Sequence, residues 1–412
     1  MSGGARVLIE QAPGQTRALH LDGDRVVESW HDFRHDPDRT GSVHAVRIDR
    51  VFAAQNRATA TLADGTPVSV RTTRHDSLTA GGMAVITITA APRETKPWQA
   101  LTGPRLAGPT LVLLPGQGGI AQSARMTSPP ADIALDALQD CLDGEAGFGV
   151  ILRRNAGAAG DLAGDAAALI AAWQAGQTGQ REEDGPGCLF DPGGLAARIA
   201  VQSPHLEIEA VSTGNAEEFG ARWDDMIATT TRADLPLAGG GVMWIEPTRA
   251  LTAIDFDSGT GPLDALFADA PHAIASQIRL RQLGGLIAVD LPRAAPAMTR
   301  RLDAALEAAL ADDPGHPERL GRTRGGLVEI RAPHGRRGPA DWAADRRVTG
   351  ALSVLRQLAL RPQIARPRIE CPPATADWLR GPGAAALTAL DRQVELVVSS
   401  QAVTATLIED RG

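Results

Sequence analysis

Tyrosine is absent from this chain of 412 residues, and phenylalanine and tryptophan contribute seven residues each. Aromatic rings are the platforms on which single-stranded nucleic acids stack their bases, so a nucleic-acid surface here has few rings to draw on. Lysine is almost missing too: Lys96 stands alone, and arginine carries the rest of the positive charge. The formal net charge of -8 at pH 7 repels polyanions on average and argues against indiscriminate nucleic-acid binding. Cys141, Cys188 and Cys371 are widely separated and form no CxxC pair, which excludes a disulfide framework and a self-contained zinc site. That usage fits a reducing cytoplasm. No apolar run reaches the ~20 residues needed to span a bilayer; segments 111–115 and 286–291 have the length of strands. Residues 1–5 show no basic stretch leading into an apolar one, so no secretory signal is expected.

What is present is the composition of a globular protein, 43% hydrophobic and 22% charged. The length allows one large domain or a few smaller ones of ~100–200 residues. Residues 6–10 and 17–21 read as strands, and the Asp22-Gly23 turn leads to a third over 26–30. The polar, proline-bearing stretch 31–40 reads as a linker. From Gly41 the apolar residues recur with period two, and short strands between 46 and 89 predict a small barrel of the oligonucleotide-binding type. Residues 91–107, with Pro92, Pro97 and Pro104, read as an extended connector. Strands at 111–115 and 148–153 follow, the second ending in Arg153 and Arg154. An amphipathic helix is expected over 161–174 and an exposed loop over 176–193. Strands at 242–245 and 251–256, a helix over 271–283, a strand over 286–290, a helix over 296–311 and a strand over 326–331 then alternate as in α/β proteins. A helix over 348–360 and an αβ piece over 374–408 read as a separate small subdomain.

Two apolar strands in the richest stretch end in carboxylates, Ile254-Asp255-Phe256-Asp257 and Ala288-Val289-Asp290. One helix separates them, so a strand–helix–strand unit can bring both acids to one sheet edge, where the functional groups of open α/β sheets collect. Carboxylates a few ångström apart repel each other unless a proton or a divalent cation neutralises them. Magnesium suits such a pair, since it binds through one or two carboxylates plus substrate phosphate and retained water. An aspartate ending a strand is also a common turn former or helix cap, and the residues alone leave both roles open. The chain has no GxxxxGK[ST], GxSxG or HExxH segment, which removes P-loop hydrolysis, serine esterase and zinc-peptidase chemistry.

Residues 249–259, RALTAIDFDSG, resemble the EALTAIDINS/T segment of the ribonuclease E/G family, and residues 278–290, IRLRQLGGLIAVD, resemble its IRLRDLGGLIVID segment. Gly326-Leu327-Val328-Glu329 resembles the family's GLVE motif at similar distance. Upstream, residues 111–115 with Gly118-Gly119-Ile120 resemble LVLMP…GGIS, and residues 149–153 resemble a GVIVRT strand. Residues 373–379 and 390–398 resemble the family's C-terminal tail. The resemblance is collinear over nearly the whole chain.

The resemblance implies an endoribonuclease that cuts single-stranded RNA by magnesium-dependent hydrolysis and leaves a 5′-phosphate on the downstream product. It implies an α/β multidomain fold. An RNase H-like part would cover 1–40 with about 205–240, an S1 (OB-type) β-barrel 41–97 and a 5′-sensor-like region 98–204. A DNase I-like catalytic region would cover 241–345 and a small C-terminal α/β subdomain 346–412. The family's catalytic, metal-binding aspartates fall on Asp255 and Asp290, and its intervening asparagine on Asp257, which keeps an oxygen ligand and adds a charge. The sensor arginine falls on Arg153 and the neighbouring threonine on Arg154, still suited to phosphate. Arg279 and Arg281 are further candidates for RNA contact, ranked below the aspartates.

The chain also departs from the family. The two-cysteine zinc-link that joins protomers belongs between residues 342 and 348, where no cysteine occurs, so no structural zinc is expected and any homodimer forms without that link. The run between the two aspartates is shortened, and a basic position used near catalysis aligns with His316. Base-stacking positions of the barrel are Thr59, Thr61 and Val68, while Arg71 and Arg74 are candidates for phosphate contact. The expected function is therefore a cytoplasmic, magnesium-dependent endoribonuclease with single-stranded RNA as partner. The alternative is a degenerate, non-catalytic RNA- or ribosome-associated protein on the same scaffold. A magnesium-dependent DNA nuclease or phosphodiesterase is the third reading.

Overall fold

The computed structural model describes residues 4–408, apart from 94–95, 127, 146, 159–160, 184 and 312. The chain forms two compact units, one built from 1–38 with 206–412 and the other from 39–205. The first unit opens with an antiparallel meander, β1 (Arg6–Ala12), β2 (Gln15–Asp22) and β3 (Arg25–Phe33). Gly23 takes the left-handed conformation that the tight β2–β3 turn requires (φ 61°).

In the second unit β4 (Val43–Phe52), β5 (Arg57–Thr61), β6 (Pro67–Arg71), β7 (Met83–Ala90) and β8 (Trp98–Thr102) pair in the order 4-5-6-8-7, and β7 returns to β4. The result is a closed five-stranded barrel, consistent with the S1/OB type, filled by Ile48, Val68, Val70, Ile86, Ile88 and Trp98. The closing strand β8 lies within the stretch that the sequence presents as an extended connector. It pairs in parallel with β6 and antiparallel with β7, and such non-local pairing leaves no short-range signal.

The rest of the second unit is a four-stranded sheet of β9 (Leu106–Ala107), β10 (Leu111–Pro115), β11 (Gly119–Gln122) and β12 (Phe148–Leu152). Helices α1 (Asp132–Asp143) and α2 (Leu162–Glu183) supply apolar side chains to its core, while β13 (Gly187–Phe190) adds to β4 and α3 (Leu195–Gln202) follows. The expected loop over 176–193 is corrected: α2 continues past Gly176, and 187–190 is a strand. A Cβ on Gly176 would stand 1.8 Å from the Leu189 carbonyl oxygen, so this glycine permits close helix–strand approach and does not end the helix.

The first unit resumes with β14 (Glu207–Ala210), which pairs in parallel with β1 to give the order 14-1-2-3, and with α4 (Ala216–Thr231). Next comes a six-stranded sheet containing β15 (Asp234–Pro236), β16 (Val242–Pro247), β17 (Thr252–Asp257) and β18 (Gly285–Asp290). Helix α5 (Leu263–Arg281) joins β17 to β18. Helix α6 (Pro296–Ala311) then leads to β19 (Glu318–Arg322) and β20 (Val328–Ala332), and the strand order is 15-16-17-18-20-19. Ile254, Phe256, Ile287, Val289 and Ile330 on one sheet face share a core with Ile274, Leu302 and Leu306 of the two helices. The helix expected to begin at Pro271 begins eight residues earlier, and Pro271 sits inside it.

Helices α7 (Pro339–Ala343), α8 (Arg346–Ala359), α9 (Pro373–Arg380) and α10 (Ala384–Thr388) surround a last sheet of β21 (Arg368–Cys371), β22 (Glu395–Val398) and β23 (Thr406–Ile408). These C-terminal elements have their own sheet, yet Leu355, Ile369 and Leu379 share a core with Leu8, Leu19, Phe219 and Trp223 of the N-terminal sheet and α4. Among the described residues no helix is long and apolar enough to cross a membrane.

Candidate active site

The sequence of β17 alternates apolar and acidic residues, so period two turns Ile254 and Phe256 into the core and Asp255 and Asp257 out to the opposite, open face. β18 behaves likewise, with Ile287 and Val289 inward and Asp290 outward. The two strands run in parallel, and their register sets Asp255 directly beside Asp290. The crossover through α5 produces this register, as the strand–helix–strand reading of the sequence requires. Antiparallel pairing with β16 puts Trp244 on the other side of Asp255, so Trp244, Asp255 and Asp290 form one row on the open face.

Asp255 and Asp290 are exposed, and neither has an ion-pair partner among the described residues. Asp257 is exposed as well, and one of its oxygens accepts the Gly259 backbone N–H at 2.8 Å. Among the described residues no three His, Cys, Asp or Glu side chains gather as a ready-made metal cage. The donor set is therefore a pair of neighbouring, unneutralised carboxylates open to solvent. It suits a hard divalent cation whose remaining positions are filled by phosphate oxygen and water.

The candidate arginines occupy other surroundings. Arg279, near the end of α5, is held by Glu28 of β3 through Nε (2.8 Å) and Nη2 (2.7 Å). Arg336 reaches the other oxygen of Glu28 at 2.8 Å and covers the Trp30 ring at 4.9 Å. Glu28 is 1% exposed; burial alone would raise its pKa, but Arg336 and Arg279 outweigh burial and hold it below the ordinary carboxylate value. Arg281 donates to the Gln277 side chain and to the carbonyls of Arg232 and Thr229. Both α5 arginines thus bind protein groups, and their contacts tie the crossover helix to its surroundings. His316 lies two residues before β19, which meets the sheet beside the start of β18, at the edge opposite Asp290.

In the other unit, Arg153 follows β12 and donates from Nη1 to the carbonyls of Gly108 and Val201, both at 2.6 Å. Burial lowers its pKa, with Asp165 opposing the shift. Nε and Nη2 of Arg153 have no hydrogen-bond partner among the described residues, so donors remain for an anion. Arg154 is half-buried beside it. In the barrel, Thr59 and Thr61 are half-buried on β5, whereas Val68 is 1% exposed and belongs to the interior, so it is no stacking position. Arg71 and Arg74 line a polar concavity of about 460 Å³ together with Arg57.

Comparison with known proteins matches residues 220–332, the stretch containing the aspartate row, to the Ribonuclease E/G family. Ribonuclease G of Escherichia coli (strain K12) is 23% identical over 388 residues, an alignment covering 79% of each chain. Ribonuclease E of Nostoc sp. (strain PCC 7120) is 32% identical over 171 residues, covering 38% of this chain and 21% of that protein. Ribonuclease E of Buchnera aphidicola is 25% identical over 262 residues, covering 54% of this chain and 27% of that protein.

The chain is similar to ribonuclease E/G proteins over most of its length, and the family match falls on the stretch that carries the aspartates. Cys371 is fully buried on β21, and burial raises its thiol pKa. It serves there as a small apolar residue opposite Val398 of β22. The signal that sequence reading missed is Trp244, an aromatic among outward-facing positions of a strand next to the acidic one.

Proposed function

We propose that this protein is a magnesium-dependent endoribonuclease of the ribonuclease E/G type that hydrolyses phosphodiester bonds in single-stranded RNA. Asp255 and Asp290 are the metal-binding, catalytic carboxylates in this reading, with Asp257 assisting. The observation that carries it is the parallel register that sets Asp255 beside Asp290 on an exposed face, with no ion-pair partner for either among the described residues. Asp255 and Asp290 would hold a divalent cation, which would supply positive charge to polarise the phosphodiester and make water more acidic. The chain's own contribution is to hold two carboxylates on rigid, adjacent strands, which fixes their spacing before RNA arrives. Arg153, with donors left over from its carbonyl contacts, and Arg154 would receive a 5′-monophosphate.

The same reading assigns the 14-1-2-3 sheet to an RNase H-like part, the barrel to an S1 domain and the six-stranded sheet to a DNase I-like part. It places the protein in the cytoplasm. Any homodimer would use a surface other than a cysteine-bound zinc. A degenerate, non-catalytic RNA- or ribosome-associated protein on the same scaffold is the second reading, favoured by threonine in place of stacking rings at positions 59 and 61 of the barrel.

Purified protein incubated with single-stranded RNA should cut it in the presence of magnesium and not in chelator. Asp255→Asn combined with Asp290→Asn should reduce cleavage to background. Equal cleavage by that variant would remove the aspartates from the mechanism, and RNA binding without cleavage by wild type would establish the second reading.

A further inference from the structure

We propose that Trp244 is a stacking platform for one nucleobase of the RNA beside the reacting phosphate, and so a specificity-determining residue. The proposal rests on the endoribonuclease reading above. Its first support is position: Trp244 pairs with Asp255, which pairs with Asp290, so the indole stands one strand from the nearer carboxylate. Neighbouring strands lie about 4.8 Å apart, within reach of the base attached to a phosphate held at the carboxylates.

The second support is exposure. Trp30, Trp98, Trp173, Trp223, Trp342 and Trp378 are between 3% and 8% exposed, whereas Trp244 is 42% exposed. A protein with so few aromatic rings hides six of its seven tryptophans and leaves the seventh in water next to its acidic pair. The third support is the lack of a packing reason. The cross-strand neighbours of Trp244 are Asp234 on β15 and Asp255 on β17, and neither carboxylate offers the apolar or aromatic partner that stabilises an aromatic on a sheet. Farther along the open face, Ala253 pairs with Ala288, so small side chains keep that part of the face low. The barrel positions that would otherwise stack bases carry threonine at 59 and 61. Stacking strengthens with ring area, so a purine is favoured at the nucleotide that meets Trp244.

The test separates stacking from catalysis. Fluorescently labelled single-stranded RNA is titrated, without divalent metal, into the Asp255→Asn/Asp290→Asn protein and into the same protein carrying Trp244→Val or Trp244→Phe. Valine keeps strand propensity and removes the platform. Stacking on one base predicts an affinity about 10-fold weaker for Trp244→Val, largely restored by phenylalanine. In the wild-type background with magnesium, Trp244→Val should lose the preference for a purine next to the cut. Melting curves that coincide for the valine and tryptophan proteins exclude a folding defect. Equal affinity of the valine and tryptophan proteins would overturn the platform while leaving cleavage untouched. No cleavage by wild type would overturn the reading beneath it, and with it the place of Trp244 beside a reacting phosphate.

Discussion

Replacing Glu28 by glutamine removes one negative charge from a point where the guanidinium groups of Arg279 and Arg336 converge. Breaking a buried ion pair from one side costs about 3–5 kcal/mol, because the partner's charge is left without compensation. Two features lower that figure. The side chains of Arg279 and Arg336 keep 22% and 13% exposure, so water screens part of the loss. Asp313 also lies within electrostatic reach of both arginines, and one of its oxygens is buried without a hydrogen-bond partner among the described residues. Burial raises the Asp313 pKa, and two uncompensated arginines would draw it back toward the ionised form. A loss of about 3 kcal/mol is therefore expected, or a melting temperature lower by roughly 6–12 °C for a unit of this size.

Thermal unfolding followed by circular dichroism at pH 7 measures this shift. Adding Asp313→Asn should cost more than the two single changes together, because the substitute charge is gone. The folded Glu28 carboxyl titrates below its ordinary value of 4.5, so its contribution is complete above that pH and fades as pH falls through the lower folded value. The gap between wild type and Glu28→Gln should accordingly stay constant near neutrality and close in acid. A shift under about 2 °C at pH 7 would refute the claim that this carboxylate neutralises both arginines.

Two further outcomes are expected. Arg153→Ala should abolish any preference for 5′-monophosphorylated over 5′-triphosphorylated RNA while leaving cleavage of circular RNA unchanged; a preference that survives the substitution removes Arg153 from phosphate recognition. Gly176→Ala forces a Cβ to within 1.8 Å of the Leu189 carbonyl and should destabilise the unit of residues 39–205 by about 2–3 kcal/mol in denaturant titration, whereas a stability equal to wild type would mean that α2 and β13 separate freely.

The β17–α5–β18 unit was legible because every level of the sequence agrees there: alternating residues, one crossover helix, and a carboxylate at the end of each strand. The pairing of Asp255 with Asp290 follows from that local order. What escaped depends on partners distant in the chain. β8 is a strand because β6 and β7 flank it, although prolines around it read as a connector. Gly176 looks like a helix stop until the strand packed against it is known. Pro271 marks a helix start by propensity, yet α5 runs through it because Leu266, Phe267 and Ile274 on both sides of the proline are buried in one core. The contacts of Arg279 are equally remote, since Glu28 lies 251 residues away.

The N-terminal sheet is assembled from pieces made at very different times during synthesis. β1, β2 and β3 leave the ribosome before β14, the parallel neighbour of β1, which lies beyond the whole 39–205 unit. At 5–20 residues per second, that neighbour emerges roughly 10–35 seconds later. The core beneath the sheet also needs α8, α9 and β21, which emerge later still. The inserted unit has all of its own strands and can fold in the interval. The opening hairpins wait in that interval with the apolar face that α8, α9 and β21 later cover still exposed. A transcript cut short after β18 would encode the acidic row without β20, the strand that pairs with β18 in the finished sheet.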